Sequence, residues 1–174
     1  MILKQIENFI PRLDSILPEL KKIKLYSVQE LNSLNNVKET WPGLRSKNLF
    51  SENRILFEFI SYILFKNNNV FEKGVYTVDM VLHLRLAQDE KIDWIHTDDS
   101  HHDYSGIIYL SDTNLNSGTQ MFDKEHNIIN DMKYVQNRAI FFSSNYNHKA
   151  YGHFGSNVQD GRLTLNLFIK KHGT

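Results

Sequence analysis

Apolar positions along this chain change period about two-fifths of the way through. From Phe9 to Ile23, Ile10, Leu13, Ile16, Leu17 and Leu20 recur at helical spacing, which predicts an amphipathic helix. Pro11 suits its first turn, and Pro18 limits its regularity. Residues 53–66, NRILFEFISYILFK, predict a stronger helix, with positions 55, 56, 59, 60, 63 and 64 forming one wide packing stripe. Asn67, Asn68 and Asn69 then end it. Between the two helices, ETWPGLRSKNLF reads as an irregular connection around a Pro-Gly turn.

After Gly74 the period becomes two. VYTVDMVLHLRL alternates and is rich in β-branched and aromatic residues, as a strand requires. DWIHTD, SGIIYLSD, SGTQMFD, DMKYVQ, RAIFFSS and RLTLNLFIK follow as shorter strand candidates, separated by turn formers such as Asn116-Ser117-Gly118 and Gln159-Asp160-Gly161. Seven or so short strands after a helical lead-in predict a mainly β fold with N-terminal helices, a jelly roll or small barrel with the helices packed outside. No internal repeat or low-complexity linker divides the chain, so residues 1–174 read as one domain.

Composition narrows the chemistry. Lys+Arg and Asp+Glu both number 20 in the 174 residues, so no basic surface for a nucleic acid partner is expected. There is no cysteine, which excludes thiolate metal sites and a cysteine nucleophile and leaves any metal to His and carboxylates. ILFEFISYILF carries Glu58 and is too short to span a bilayer, and MILKQIENFI lacks an apolar signal region. A cytoplasmic protein without a membrane partner is the expectation.

The segment WIHTDDSHHDY, residues 94–104, concentrates the candidate chemistry. On a strand, His96 and Asp98 point to the same face and can offer a nitrogen and a carboxylate oxygen to one point. Trp94 shares that face and reads as a core residue. Asp99, His101, His102 and Asp103 read as a polar loop or the mouth of a site. A catalytic iron centre with two histidines and one carboxylate needs a third ligand from elsewhere. His101, His102, His126, His148, His153 and His172 are the candidates. Arg162 and Thr164 open the last strand on one face. An inward guanidinium there calls for an anion, and a carboxylate with a hydroxyl contact from Thr164 would satisfy it.

The order HTD, then NH at 147–148, then RLT at 162–164 resembles the 2-oxoglutarate- and iron(II)-dependent dioxygenases, whose pattern is H-x-D, a distal His and R-x-S/T. IIYL followed by SGT is similar to the strands after H-x-D in that family. WPGLRS, residues 41–46, resembles a segment of its prolyl-hydroxylase-like members. The likeness covers the C-terminal 100 residues or so well and the helical start loosely, and is nearest to small bacterial or phage-type members.

The resemblance implies a double-stranded β-helix over 74–170 with residues 1–70 packed on it. It implies His96, Asp98 and His148 as ligands of Fe(II). His153 would bring the spacing to Arg162 nearer the family's, but His148 follows the apolar strand directly, whereas Gly152 and Gly155 place His153 in a bend. Arg162, Thr164 and Tyr76 would contact 2-oxoglutarate, while Tyr104, Tyr109 and Asn147 are weaker candidates. The implied reaction consumes O2 and 2-oxoglutarate, releases succinate and CO2, and hydroxylates a C–H bond of a protein side chain or a small molecule. Two other readings stay open: a non-catalytic cupin-like binding module, and a His/Asp metalloenzyme that does not use 2-oxoglutarate.

Overall fold

The computed structural model describes residues 2–67, 70–89, 93–98 and 100–173. The chain opens with a strand, β1 (Ile2–Ile6), not with the first helix. Helix α1 (Leu13–Leu20) is shorter than the periodicity predicts. Phe9 and Ile10 are buried before it begins, and Asn137 pins that approach: its side chain accepts from the Ile10 N–H and donates to the Ile10 carbonyl, both at 2.8 Å.

Helix α2 (Val28–Asn35) is an addition to the sequence reading. A capping box starts it, with the Ser27 hydroxyl accepting from the Glu30 N–H and the Glu30 carboxylate accepting from the Ser27 N–H. The expected irregular connection contains β2 (Leu44–Arg45) and α3 (Leu49–Glu52).

Helix α4 (Arg54–Tyr62) continues as a π-helical turn over Ile63–Asn67. Leu56, Ile60, Ile63 and Leu64 of its expected stripe are buried, whereas Ile55 is 81% exposed, so the packing face is narrower than predicted. Among the described residues no helix is long and apolar enough to cross a membrane.

The strands that follow are β3 (Val75–Arg85), β4 (Tyr104–Tyr109), β5 (Asn114–Phe122), β6 (Ile128–Tyr134), β7 (Ala139–Ser143), β8 (Asn147–Tyr151) and β9 (Arg162–His172). They form a six-stranded sheet in the order β1-β7-β4-β9-β3-β2 and a three-stranded sheet in the order β6-β5-β8, all pairs antiparallel. The architecture is the expected mainly β jelly roll with helices on one side.

Alternation along the long strands sets the layers. On β9, Leu163, Leu165, Leu167 and Ile169 pack with Met80, Leu82 and Leu84 of β3 against the helices. Each such fully buried side chain contributes about 1.5–3 kcal/mol by leaving water. The opposite face turns towards the smaller sheet and carries Asp79, Val81 and His83 of β3 with Arg162, Thr164 and Asn166 of β9. A second cluster, including Tyr109, Met121, Met132, Tyr134 and Phe142, fills part of the space between the sheets. The rest of that space is open.

Candidate metal centre and its cavity

Residues 93–98 do not form the strand that DWIHTD predicts. One antiparallel bridge, His96 to His148, attaches them beside β8. The His96 N–H donates to the His148 carbonyl at 3.0 Å, and the His148 N–H to the His96 carbonyl at 2.8 Å. The Asp98 N–H donates to the Ser144 carbonyl at 2.9 Å. The segment therefore acts as a one-residue fourth strand whose polar side chains need not alternate with core residues.

This pairing gathers His96, Asp98 and His148, whose ligating atoms all lie within 4.8 Å of one another. His148 Nε2 is 3.7 Å from one Asp98 oxygen and His96 Nε2 is 3.9 Å from the other. Each ring's Nδ1 faces the carbonyl two residues earlier, Trp94 at 3.0 Å for His96 and Tyr146 at 2.9 Å for His148. With Nδ1–H donating there, both Nε2 lone pairs face the common point, the arrangement in which outer partners fix the tautomer of metal-binding histidines.

The Ser105 hydroxyl of β4 donates to Asp98 and so orients the carboxylate. His148 is buried against Phe142, ring centroids 4.8 Å apart. Burial pushes its imidazole down to about 4, with Asp98 opposing and His96 assisting, so it is neutral and able to ligate near neutral pH.

The centre opens into a cavity of about 800 Å³ between the sheets. Arg162, 2% exposed, lines it. Its Nε donates to Ser117 Oγ at 3.2 Å and an Nη to the Gly118 carbonyl at 3.0 Å, and the guanidinium lies 5.4 Å from the Tyr134 ring centroid. All of these partners are neutral, and among the described residues no carboxylate pairs with it. Thr164 sits beside it on the same face, donating to Asn166 Oδ1 at 2.8 Å.

Several sequence expectations need correction or relocation. Tyr76 is on the opposite face of β3: it stacks on Phe65 at 5.5 Å, donates to the Glu72 carbonyl at 3.0 Å and does not line the cavity, because even-numbered residues of β3 face the helices. Trp94 is 44% exposed beside His96 at the cavity wall and is not a core residue.

His153 is engaged elsewhere, its Nε2 2.8 Å from Asp93, which also accepts from the fully buried Arg85. His126 lies in the turn after β5, and His172 contacts Thr77 Oγ1 at 2.9 Å. His102 lines the cavity 3.6 Å from Asp79, and His101 is exposed. Asp103 accepts from the Lys171 N–H at 2.9 Å and ties the loop to β9. Asp99 lies outside the described residues. Tyr109 donates to Thr119 Oγ1 at 2.9 Å, behind Arg162.

Three contributors escaped the sequence reading. Ser105 carries no motif, since its role depends on β4 crossing opposite residue 98. The cavity's Arg45 and Trp41 lie inside WPGLRS, where only the family likeness, not the side chains, had drawn attention.

No family model and no curated protein matches the sequence. The fold does match solved structures. A Pseudomonas putida prolyl-4-hydroxylase aligns over 98% of this chain and 92% of its own, at 16% identity and TM-score 0.56. A Trichoplax adhaerens prolyl hydroxylase, in complex with a hypoxia inducible factor oxygen degradation domain peptide fragment, aligns over 97% and 83% at 12% identity and TM-score 0.58. HygX from Streptomyces hygroscopicus, with nickel and 2-oxoglutarate bound, aligns over 96% and 82% at 8% identity and TM-score 0.67. The chain thus has the prolyl-hydroxylase-like jelly-roll fold of the 2-oxoglutarate/iron(II) oxygenase structures, with a His-Asp-His group in its cavity.

Proposed function

We propose that the protein is an Fe(II)- and 2-oxoglutarate-dependent dioxygenase that hydroxylates a C–H bond of a protein side chain or a small molecule. One observation carries this reading: two Nε2 lone pairs and a carboxylate converge in a cavity that also presents a buried guanidinium with only neutral partners. Two imidazoles and one carboxylate with open space beside them suit iron(II). A simple metal hydrolase does not need the inward guanidinium of Arg162, which favours the dioxygenase reading over that one.

His96, Asp98 and His148 would hold the metal, and Arg162 with Thr164 would hold the far carboxylate of 2-oxoglutarate. The bound iron, 2-oxoglutarate and O2 together supply the oxidation, with succinate and CO2 as coproducts. The chain's own part is preorganisation. Trp94 and Tyr146 carbonyls hold the imidazoles, Ser105 holds Asp98, and the apolar cluster between the sheets keeps bulk water from one end of the cavity. The fold likeness to prolyl hydroxylases, one of them in complex with a peptide, supports a protein side chain as the substrate.

The test is anaerobic addition of iron(II) and 2-oxoglutarate. A visible charge-transfer band should appear, and admitting oxygen should yield succinate. Neither signal from folded protein would overturn the proposal.

A further inference from the structure

We propose that Arg45, packed on Trp41, is a second anion site of the cavity and anchors a carboxylate of the primary substrate. The inference rests on the dioxygenase reading for the word substrate, but the site itself follows from the geometry. Gly43, at φ 79°, turns the chain after Pro42 so that β2 can pair with β3; a Cβ there would lie 2.3 Å from the Leu84 carbonyl oxygen. That close approach places Arg45 opposite His83, with its side chain lining the cavity.

The Arg45 guanidinium carbon lies 4.8 Å from the Trp41 ring centroid, a cation–π contact that fixes the plane of the fork. Its Nε is shut off from solvent, and among the described residues it has no hydrogen-bond partner and no carboxylate forms an ion pair with the guanidinium.

Of the nearby acids, Asp98, Glu39 and Asp93 act on Arg45 through their charge, without a hydrogen bond or ion pair to it. Asp98 belongs to the metal centre and to Ser105, Asp93 pairs with Arg85 and His153, and Asp79 accepts from Asn48 and faces His102. His83 carries no negative charge in either protonation state. Its Nε2 is 2.6 Å from the Pro42 carbonyl, so that nitrogen donates, and burial holds the ring neutral. A guanidinium left this way gains from an acceptor that enters the cavity.

The cosubstrate would not be that acceptor. Of its two carboxylates, the keto-acid end would go to the metal and the other to Arg162. Arg162 is on β9, and β3 lies between β9 and β2. The two strand axes are about 10 Å apart, so the two arginines enter the cavity from separate strands. A further anionic group in the cavity would meet Arg45. The Nη groups of Arg45, unlike its Nε, are not shut off, and this planar pair of donors matches the two oxygens of a carboxylate.

The experiment is a binding panel of N-acetyl amino acids and short carboxylic acids, each beside its primary amide. Titration calorimetry and thermal shift would follow binding, on the metal-free protein and on the anaerobic iron(II)–2-oxoglutarate complex. At least one acid should bind about ten-fold or more tightly than its amide. Arg45→Met, which keeps the stem on Trp41, should erase that preference yet leave the 2-oxoglutarate titration of the visible band unchanged. Should the methionine variant not fold, Arg45→Lys keeps the charge without the two-donor edge and should lose most of the preference.

No acid-over-amide preference in the wild type, or one that survives Arg45→Met, overturns the proposal. So does a weakened 2-oxoglutarate titration in Arg45→Met, which would assign Arg45 to the cosubstrate. Failure of the wild-type band sinks the dioxygenase reading instead, while the metal-free comparison still reads Arg45.

Discussion

His96 and His148 are joined twice, by reciprocal backbone hydrogen bonds of 3.0 and 2.8 Å and by imidazole rings whose centroids lie 4.4 Å apart. The backbone pair sets the spacing of the rings without using their side chains. Removing one imidazole should therefore empty the metal centre and leave the attachment of residues 93–98 in place. His148→Ala should abolish iron(II) binding in calorimetry with the far-UV spectrum preserved. His153→Ala should retain metal binding, because that ring serves Asp93; loss of metal in this variant would overturn the ligand assignment.

Asp98 owes its orientation to Ser105, whose hydroxyl it accepts from and whose own position is backed by Ser144 Oγ at 3.2 Å. Ser105→Ala removes a donor that favours the charged, correctly turned carboxylate. Iron(II) affinity should fall about 10- to 100-fold, the usual cost of losing such an outer partner. Unchanged affinity in a direct titration would mean that the backbone of residue 98 positions the carboxylate unaided.

Arg162 is held by Ser117, Gly118 and two tyrosine rings, none of them charged. Arg162→Met should leave iron(II) binding intact and raise the 2-oxoglutarate concentration for half-maximal band formation by about 10- to 100-fold, the weight of a hydrogen-bonded charge. Lysine should rescue only partly, since it lacks the planar fork. An equal loss of iron binding would instead point to collapse of the cavity.

Much of this was readable in the residues, and the exceptions have physical reasons. The alternation in RLTLNLFIK set Leu163, Leu165 and Leu167 on one face and Arg162 and Thr164 on the other, as found, because a strand buried on one face by apolar packing has no freedom of register. The same rule, applied with one phase to Tyr76, would have placed it with Met80 and Leu82 and away from Asp79 and His83; the family likeness drew it into the site against its own periodicity. Helix α2 was signalled by the capping box in SVQE, yet its weak amphipathicity hid it. Residues 93–98 looked like a strand because His, Asp and Trp alternate there, but one bridge to His148 is all the pairing they make. The role of Arg45 was out of reach, since it depends on a neighbour on β3 and on whether a nearby acid forms an ion pair with it.

Asp93 ties a fully buried arginine to the edge of the cavity. It accepts from Arg85 and pairs with His153 at 2.8 Å, and its own side chain is 9% exposed. Burial alone would raise this carboxyl, but the hydrogen bond from His153 and the charge of Arg85 outweigh it and hold the group below the ordinary range. A carboxyl depressed in the folded state stabilises above its unfolded pKa of about 3.9, and that stabilisation is lost as pH falls through the folded value. Asp93→Asn leaves Arg85 with the Asp89 carboxylate 2.9 Å away and should cost less at pH 7 in urea denaturation than the about 3–5 kcal/mol of a buried charge left wholly unpaired. The gap between wild type and variant should be flat across neutral pH and shrink in acid, below the usual carboxylate range. A gap that widened as pH fell would show that folding raises the Asp93 carboxyl instead of depressing it.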